Sequence, residues 1–296
     1  MRKYKFMAQN KALPELPQAL ISDMSQSMSA QSPASKKLTV PSFRARKNET
    51  KLVVLTAYSA PMAKLLAPHV DALLIGDSLG MVLYGFDSTL PVTLDMMARH
   101  TEAVRRGAPD TFLIADLPFG SYQSSKEQAF ESSAVLLRSG ADAVKLEGGV
   151  VMAETISFLT ARGVPVMGHI GLMPQSINQL GSYKAQGRDA GSAGTIKEDA
   201  LAVEKAGAFS YVIEGIAESL AREITMQAKI PTIGIGASAF CDGQVLVTDD
   251  LLGIFSDFKP KFVRRYAELA PQISKAVAGY AEDVRDVRFP SDKESF

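Results

Sequence analysis

The sequence predicts an α/β protein built as a (β/α)8 TIM barrel, with a disordered or loosely structured extension at its N-terminus. Three observations predict it. Short apolar, β-branched runs recur from Lys51 onward and helical stretches separate most of them, the alternation that produces a parallel sheet. Seven or eight such units favour a closed barrel over an open doubly wound sheet. The first 48 residues do not share the pattern, and the 296-residue chain without them is about as long as one barrel of ~250 residues.

The elements can be taken in order. Strands are expected at 52–57, 72–76, 111–116, 143–147, 165–169, 211–214 and 232–236, with an eighth at 244–247 or 251–255. Helices are expected at 60–67, 94–106, 125–139, 151–162, 196–206 and 218–228. Ser124 and Glu127 have the spacing of a capping box, and Gly140, Gly163 and Gly207 stand where helices should end. The stretch from Arg138 to Gly148 echoes that from Lys205 to Gly215, as repeated βα units would. Between Gly171 and Gly194 lies a Gly- and Ser-rich loop of about 24 residues, long enough to be read as a lid over the strand ends. We therefore divide the chain into an extension, 1–48, and a catalytic barrel with a C-terminal helix, 49–296. Helix is possible within the extension at 16–24, but Ser25 to Ser35 has no hydrophobic period.

Composition narrows the function. Lys plus Arg and Asp plus Glu both number 32, so there is no net charge of the kind that binds nucleic acid. The extension is locally basic: residues 1–50 carry a net charge of +6. Trp is absent and aromatics are 7%, which leaves little for stacking on single strands. The single cysteine, Cys241, excludes an internal disulfide or a CxxC zinc site and suits a reducing cytoplasm. No apolar run reaches the length of a membrane span, and no signal-peptide core precedes the barrel.

The charges fall at informative places. Asp77, Asp116, Glu147, His169 and Glu214 each end an apolar strand, and in barrels that end carries the active site. One carboxylate there is often only a helix cap; several on successive strands point to a shared site. Lys145 and Glu147 are two apart on one strand and so share a face. A lysine inside Ala143-Val-Lys-Leu-Glu147 needs an acidic partner or an anionic ligand. Carboxylates without paired His or Cys favour a hard ion, Mg²⁺, over zinc. Two motifs mislead. Gly76-Asp-Ser-Leu79 matches a serine-esterase signature, but no His follows His169 to complete a triad. Gly234-Ile-Gly-Ala237 lacks the third glycine of a dinucleotide fingerprint.

Several ordered blocks resemble the ketopantoate hydroxymethyltransferase family: Leu55 to Tyr58, Gly76 to Met81, Gly85 to Thr93, Ala115 to Phe119, Val144 to Gly149, Gly168 to Ser176, Gly234 to Ala237 and Asp242 to Gln244. The resemblance departs at Ser238 to Cys241, where the family more often has Gly-Asn. It implies a Mg²⁺-dependent barrel that moves a hydroxymethyl group from 5,10-methylenetetrahydrofolate to 3-methyl-2-oxobutanoate in pantothenate synthesis. It also implies a cytoplasmic homo-oligomer, a decamer. Carried over by motif, Asp77, Asp116 and Glu147 match the metal-binding acids. Asp77, Ser78, Asp116 and Lys145 match the 2-oxo-acid contacts, and Glu214 matches the proton acceptor. The alternatives are a related Mg²⁺-dependent 2-oxo-acid lyase or mutase on the same barrel, and a barrel kept only as a scaffold. Such lyases typically use a cysteine in a Lys-Lys-Cys-Gly-type loop, a context Cys241 does not have.

Overall fold

In the computed structural model, which describes residues 37–181, 184–255 and 259–296, eight parallel strands run in order β1 to β8 and close on themselves. They are β1 Leu52–Thr56, β2 Ala72–Ile75, β3 Phe112–Asp116, β4 Ala143–Lys145, β5 Val166–Gly171, β6 Ser210–Glu214, β7 Thr232–Ile235 and β8 Gly243–Leu246. The eighth strand is thus the first of the two expected segments. The other, 251–255, is no strand: it starts within a short helix, Thr248–Leu252, whose first residue is tied to β1, Thr248 N–H and Oγ1 donating to Thr56 Oγ1 and O at 3.0 and 2.6 Å.

Strand parity sorts the core into two shells. One set of residues, including Leu52, Val54, Ala72, Leu74, Phe112, Ile114, Ala143 and Met167, packs together as one cluster inside the barrel. The alternate set, including Leu73, Ile75, Leu113, Ala115 and Val144, packs against the surrounding helices as a second. Continuing the inward set two residues toward the C-terminal end reaches Asp116 on β3, Lys145 then Glu147 on and after β4, and His169 on β5. The candidate site is therefore the top layer of the barrel interior, where the apolar filling gives way to polar groups.

The helices hold this layer in place and differ in detail from expectation. Ser125, not Ser124, caps the helix Lys126–Arg138 by accepting from Gln128 N–H at 3.1 Å; the Ser124 hydroxyl instead donates to Gln128 Oε1 at 2.6 Å. The helix expected at 196–206 begins earlier and runs Ala190–Lys205, because Asp189 caps it through Ser192 N–H at 3.0 Å. That shortens the expected lid loop, which also contains a helical turn, Pro174–Ser176, and a short helix, Ile177–Leu180. Gly140, Gly163 and Gly207 all take positive φ (109°, 83° and 97°) as the helix-ending residues they were expected to be.

Residues 37–48, grouped with the extension on composition, carry ordered structure. Helix Val40–Arg44 opens with a reciprocal cap between Thr39 and Ser42. It inserts the fully buried Phe43 among the N-terminal ends of the strands, with ring centroids 5.6 Å from Phe112 and 5.3 Å from Phe209. One aromatic side chain in a polar stretch has no periodicity, so its burial was not readable from pattern. Lys47 Nζ adds an ion pair of 2.8 Å to Asp242. Phe43→Ala should destabilise the fold by about 3–5 kcal/mol, the usual cost of deleting a buried aromatic. Denaturant titration measures this, and a loss below about 1 kcal/mol would show that Phe43 does not plug the barrel. The possible helix at 16–24 lies outside the described residues.

Candidate active site

The strand ends bring Asp77, Asp116, Lys145, Glu147, His169 and Glu214 into one buried cluster. Lys145 Nζ lies 2.9 Å from Asp116 Oδ1 and 3.3 Å from His169 Nδ1. Asp116 Oδ2 accepts from the Asp77 N–H at 3.1 Å, which fixes the chain reversal after β2 against the end of β3. His169 Nε2 lies 3.3 Å from Glu214 Oε2, and its Nδ1 lies 3.7 Å from Glu147 Oε1. The Nε2 to Oε2 approach is off-line, so Nε2 makes no formed hydrogen bond. Ser78 stands at the edge, its Oγ 2.9 Å from the Tyr58 hydroxyl. Every acid, base and substrate-contacting residue expected from sequence thus belongs to this cluster or adjoins it.

Three residues were missed. Tyr58 follows β1 and shares a hydrogen bond with Ser78. Tyr122, in the loop after β3, accepts from Glu147 N–H at 3.1 Å and directs its one proton to the nearer of two acceptors, Gln175 Oε1 at 2.8 Å, with Glu147 O at 3.2 Å. Gln175, in the turn after β5, reaches Asp77 and Glu147. Tyr58 and Gln175 sit inside family-like blocks; Tyr58 directly follows a strand but carries no charge to single it out, and Gln175 ends no apolar run, so spacing gave no signal for it.

The electrostatics follow from burial. Four carboxylates, on Asp77, Asp116, Glu147 and Glu214, face the single ammonium of Lys145. Burial, and then the Asp116 charge, push the Asp77 carboxyl up to about 7. Burial and the Asp77 charge likewise hold Glu147 well above the usual carboxylate range. Burial alone would lower the Lys145 ammonium, but Asp116, Glu147 and Asp77 outweigh it and hold Lys145 protonated. His169 is shifted down by burial and by Lys145, so its ring is neutral near pH 7. A neutral ring beside an ammonium accepts at Nδ1, which leaves the proton on Nε2, facing Glu214.

A measurable pH dependence follows. Asp77 titrates near 4 when unfolded and at about 7 when folded, so between those values the folded state holds a proton the unfolded state has released. Its contribution to stability therefore falls as pH rises through that window. His169 acts oppositely below ~6.5, so the Asp77 effect is clearest from pH ~6.5 to ~8. Without added divalent cation the melting temperature should fall over that range, and less steeply in Asp77→Asn. Equal slopes would mean that Asp77 stays ionised.

The donor set fits a hard divalent cation. It carries surplus negative charge on oxygen, four carboxylates around one ammonium, and Asp116 Oδ1 has Lys145 alone as a partner. Among the described residues no three Asp, Glu, His or Cys side chains already surround one point. Lys145 and the Gln175 amide bind acid oxygens in this arrangement. The departing Ser238–Cys241 segment is satisfied locally: Ser238 Oγ donates to Glu218 Oε1 at 2.8 Å, and Gln244 Nε2 donates to Ser238 O at 2.9 Å.

A closed parallel barrel whose interior ends in acids, a lysine and a histidine defines a (β/α)8 enzyme with an acidic site. Solved structures of the same fold include a 2,3-dimethylmalate lyase of the PEP mutase/isocitrate lyase superfamily (TM-score 0.54, 17% identity, covering 88% of this chain and 92% of that one). Another is a phosphonopyruvate hydrolase complexed with oxalate and Mg²⁺ (TM-score 0.55, 14% identity, 87% and 93% covered). The chain itself belongs to the ketopantoate hydroxymethyltransferase family, whose model matches residues 37–292. It is 58% identical over 262 residues to the 3-methyl-2-oxobutanoate hydroxymethyltransferase of Brucella melitensis biotype 1, covering 88% of this chain and 95% of that relative.

Proposed function

We propose that this enzyme transfers a hydroxymethyl group from 5,10-methylenetetrahydrofolate to 3-methyl-2-oxobutanoate, giving 2-dehydropantoate for pantothenate synthesis. The observation that carries the reading is the buried cluster at the strand ends, where Lys145 lies against Asp116 and His169, and His169 lies between Glu147 and Glu214. Family membership and the close relative supply the particular reaction.

Asp77, Asp116 and Glu147 would hold Mg²⁺, the ion in the oxalate complex of the phosphonopyruvate hydrolase. When bound, the ion draws electron density from a chelated 2-oxo acid and makes its C3 proton easier to remove. The chain's own groups do the rest. Lys145 supplies fixed positive charge toward the anionic substrate, and Ser78, steadied by Tyr58, supplies a hydroxyl. Glu214 accepts the C3 proton. The C3 electron pair then forms the carbon–carbon bond to the folate-borne methylene carbon, whose two bonds to folate nitrogens both break. The new carbon–carbon bond replaces one and a carbon–oxygen bond from water replaces the other, and the C3 proton and one water proton end on the two nitrogens. Because Asp77, Asp116, Glu147, Lys145 and His169 are buried, the charges among them act on the reacting carbon with little screening.

Incubating purified protein with Mg²⁺, 3-methyl-2-oxobutanoate and 5,10-methylenetetrahydrofolate tests the reading. Folate-dependent 2-dehydropantoate is expected. Cleavage or rearrangement of a 2-oxo acid without folate would support the lyase or mutase alternative instead. We further propose a cytoplasmic homo-oligomer, decameric by family resemblance. In support, the helix Leu269–Arg285 has no buried residue and exposes Ile273, Val277, Tyr280 and Val284. Among the described residues no helix is long and apolar enough to cross a membrane.

A further inference from the structure

Gln175 stands outside every role assigned so far, yet it is the hub of the acid cluster. It lies in the turn Pro174–Ser176, just beyond β5, and is 4% exposed. A buried primary amide is stable only when donors and acceptor are all matched. Here they are. Gln175 Nε2 donates to Asp77 Oδ2 and to Leu117 O, both at 2.9 Å. Its Oε1 accepts from the Tyr122 hydroxyl at 2.8 Å and from Gln123 Nε2 at 3.2 Å. Its backbone N–H donates to Glu147 Oε2 at 3.0 Å.

These partners fix the orientation of the amide. Leu117 O can only accept, so the nitrogen must face it and Asp77, and the oxygen must face Tyr122. One residue thereby holds one oxygen of Asp77 and one of Glu147, acids from two different strand ends. The second oxygen of each is left free to turn toward a cation. Ligand-orienting groups of this kind tune a metal site without joining it.

We infer that Gln175 is a positioning residue that holds Asp77 and Glu147 in the separation and rotation a divalent cation needs, and so sets cation affinity. The inference rests on the reading of those two acids as cation ligands. It also explains why a glutamine, not a glutamate, occupies the turn: a carboxylate at 175 has no proton for Asp77 Oδ2 or Leu117 O.

Mn²⁺ binding to the full chain, without substrate, tests it by electron paramagnetic resonance of the free ion. Gln175→Met keeps the length of the side chain and removes its polar atoms. Affinity should fall about 10–100-fold while the melting curve stays cooperative. Turnover at saturating Mn²⁺ should recover most of the native value, because residue 175 acts on the acids and not on the substrate. Gln175→Glu is the second variant and covers a misfolded methionine variant. Coulomb attraction alone would make the added carboxylate tighten binding; loss of positioning makes it weaken. Folded variants that both bind Mn²⁺ within about twofold of the native chain, or a tighter Gln175→Glu, would overturn the inference. Absence of Mn²⁺ binding by the native chain would instead overturn the cation-ligand reading beneath it, and the inference with it.

Discussion

Glu214→Gln is expected to exchange the C3 hydrogen of 3-methyl-2-oxobutanoate with solvent about 10²–10⁴-fold more slowly than the native chain, the usual cost of losing a general base. Its place in the cluster supports the role. The Glu214 side chain is 16% exposed, against 4% for Asp116 and 3% for Glu147, so it is the acid most open to an arriving carbon. Lys145 beside His169 Nδ1 leaves a proton on Nε2, which faces Glu214 Oε2 and leaves Oε1 to act. The amide has the same shape and no oxygen basic enough to take the proton. Asp77, Asp116, Glu147 and Lys145 remain, so affinity for the 2-oxo acid should change little. Proton NMR in deuterated water, without folate, separates proton removal from carbon–carbon bond formation. Native exchange in Glu214→Gln would reduce Glu214 to the polar end of its strand and move the base to His169.

That such an experiment could be designed from sequence reflects how barrels encode their sites. Asp116, Lys145, Glu147, His169 and Glu214 stand out because each interrupts or ends an apolar strand, and strand ends share one mouth whatever their distance along the chain. Parity placed Lys145 and Glu147 on one face without further knowledge. The residues that were not legible come from connections. Gln175 and Tyr122 depend on how the loops after β5 and β3 fold back, and a loop has no period to announce which side chain turns inward. Phe43 was hidden for a related reason, as a lone aromatic in a polar stretch. Asp242 shows the converse. It belongs to a family-like block, yet its carboxylate ties Lys47 and the Asn48 and Thr232 N–H groups together at the far end of the barrel. Its place in the block reflects architecture rather than chemistry.

Asp116 offers the second large effect, and the structure changes which substitution measures it. Were Asp116 only a ligand to the metal and the 2-oxo acid, Asp116→Ala would abolish Mg²⁺ binding and leave the fold intact. In the structure Asp116 also faces Lys145 at 2.9 Å and accepts from Asp77 N–H at 3.1 Å, with both charged groups buried. Removing one member of a buried ion pair commonly costs about 3–5 kcal/mol. Asp116→Ala should therefore lose stability as well as activity, and inactivity alone would not identify a ligand. Asp116→Asn keeps an oxygen for the Asp77 N–H and leaves Lys145 with Glu147 and Asp77 as counter-charges, so it should melt closer to the native protein. It still removes the charge that Mg²⁺ requires. Lewis-acid stabilisation is worth several kcal/mol, which at ~1.4 kcal/mol per tenfold is a rate loss of about 10² or more. Raising Mg²⁺ should restore part of that loss in Asp116→Asn. A folded Asp116→Asn that turns over at the native rate in ordinary Mg²⁺ would remove Asp116 from the ligand set and leave it as the partner of Lys145.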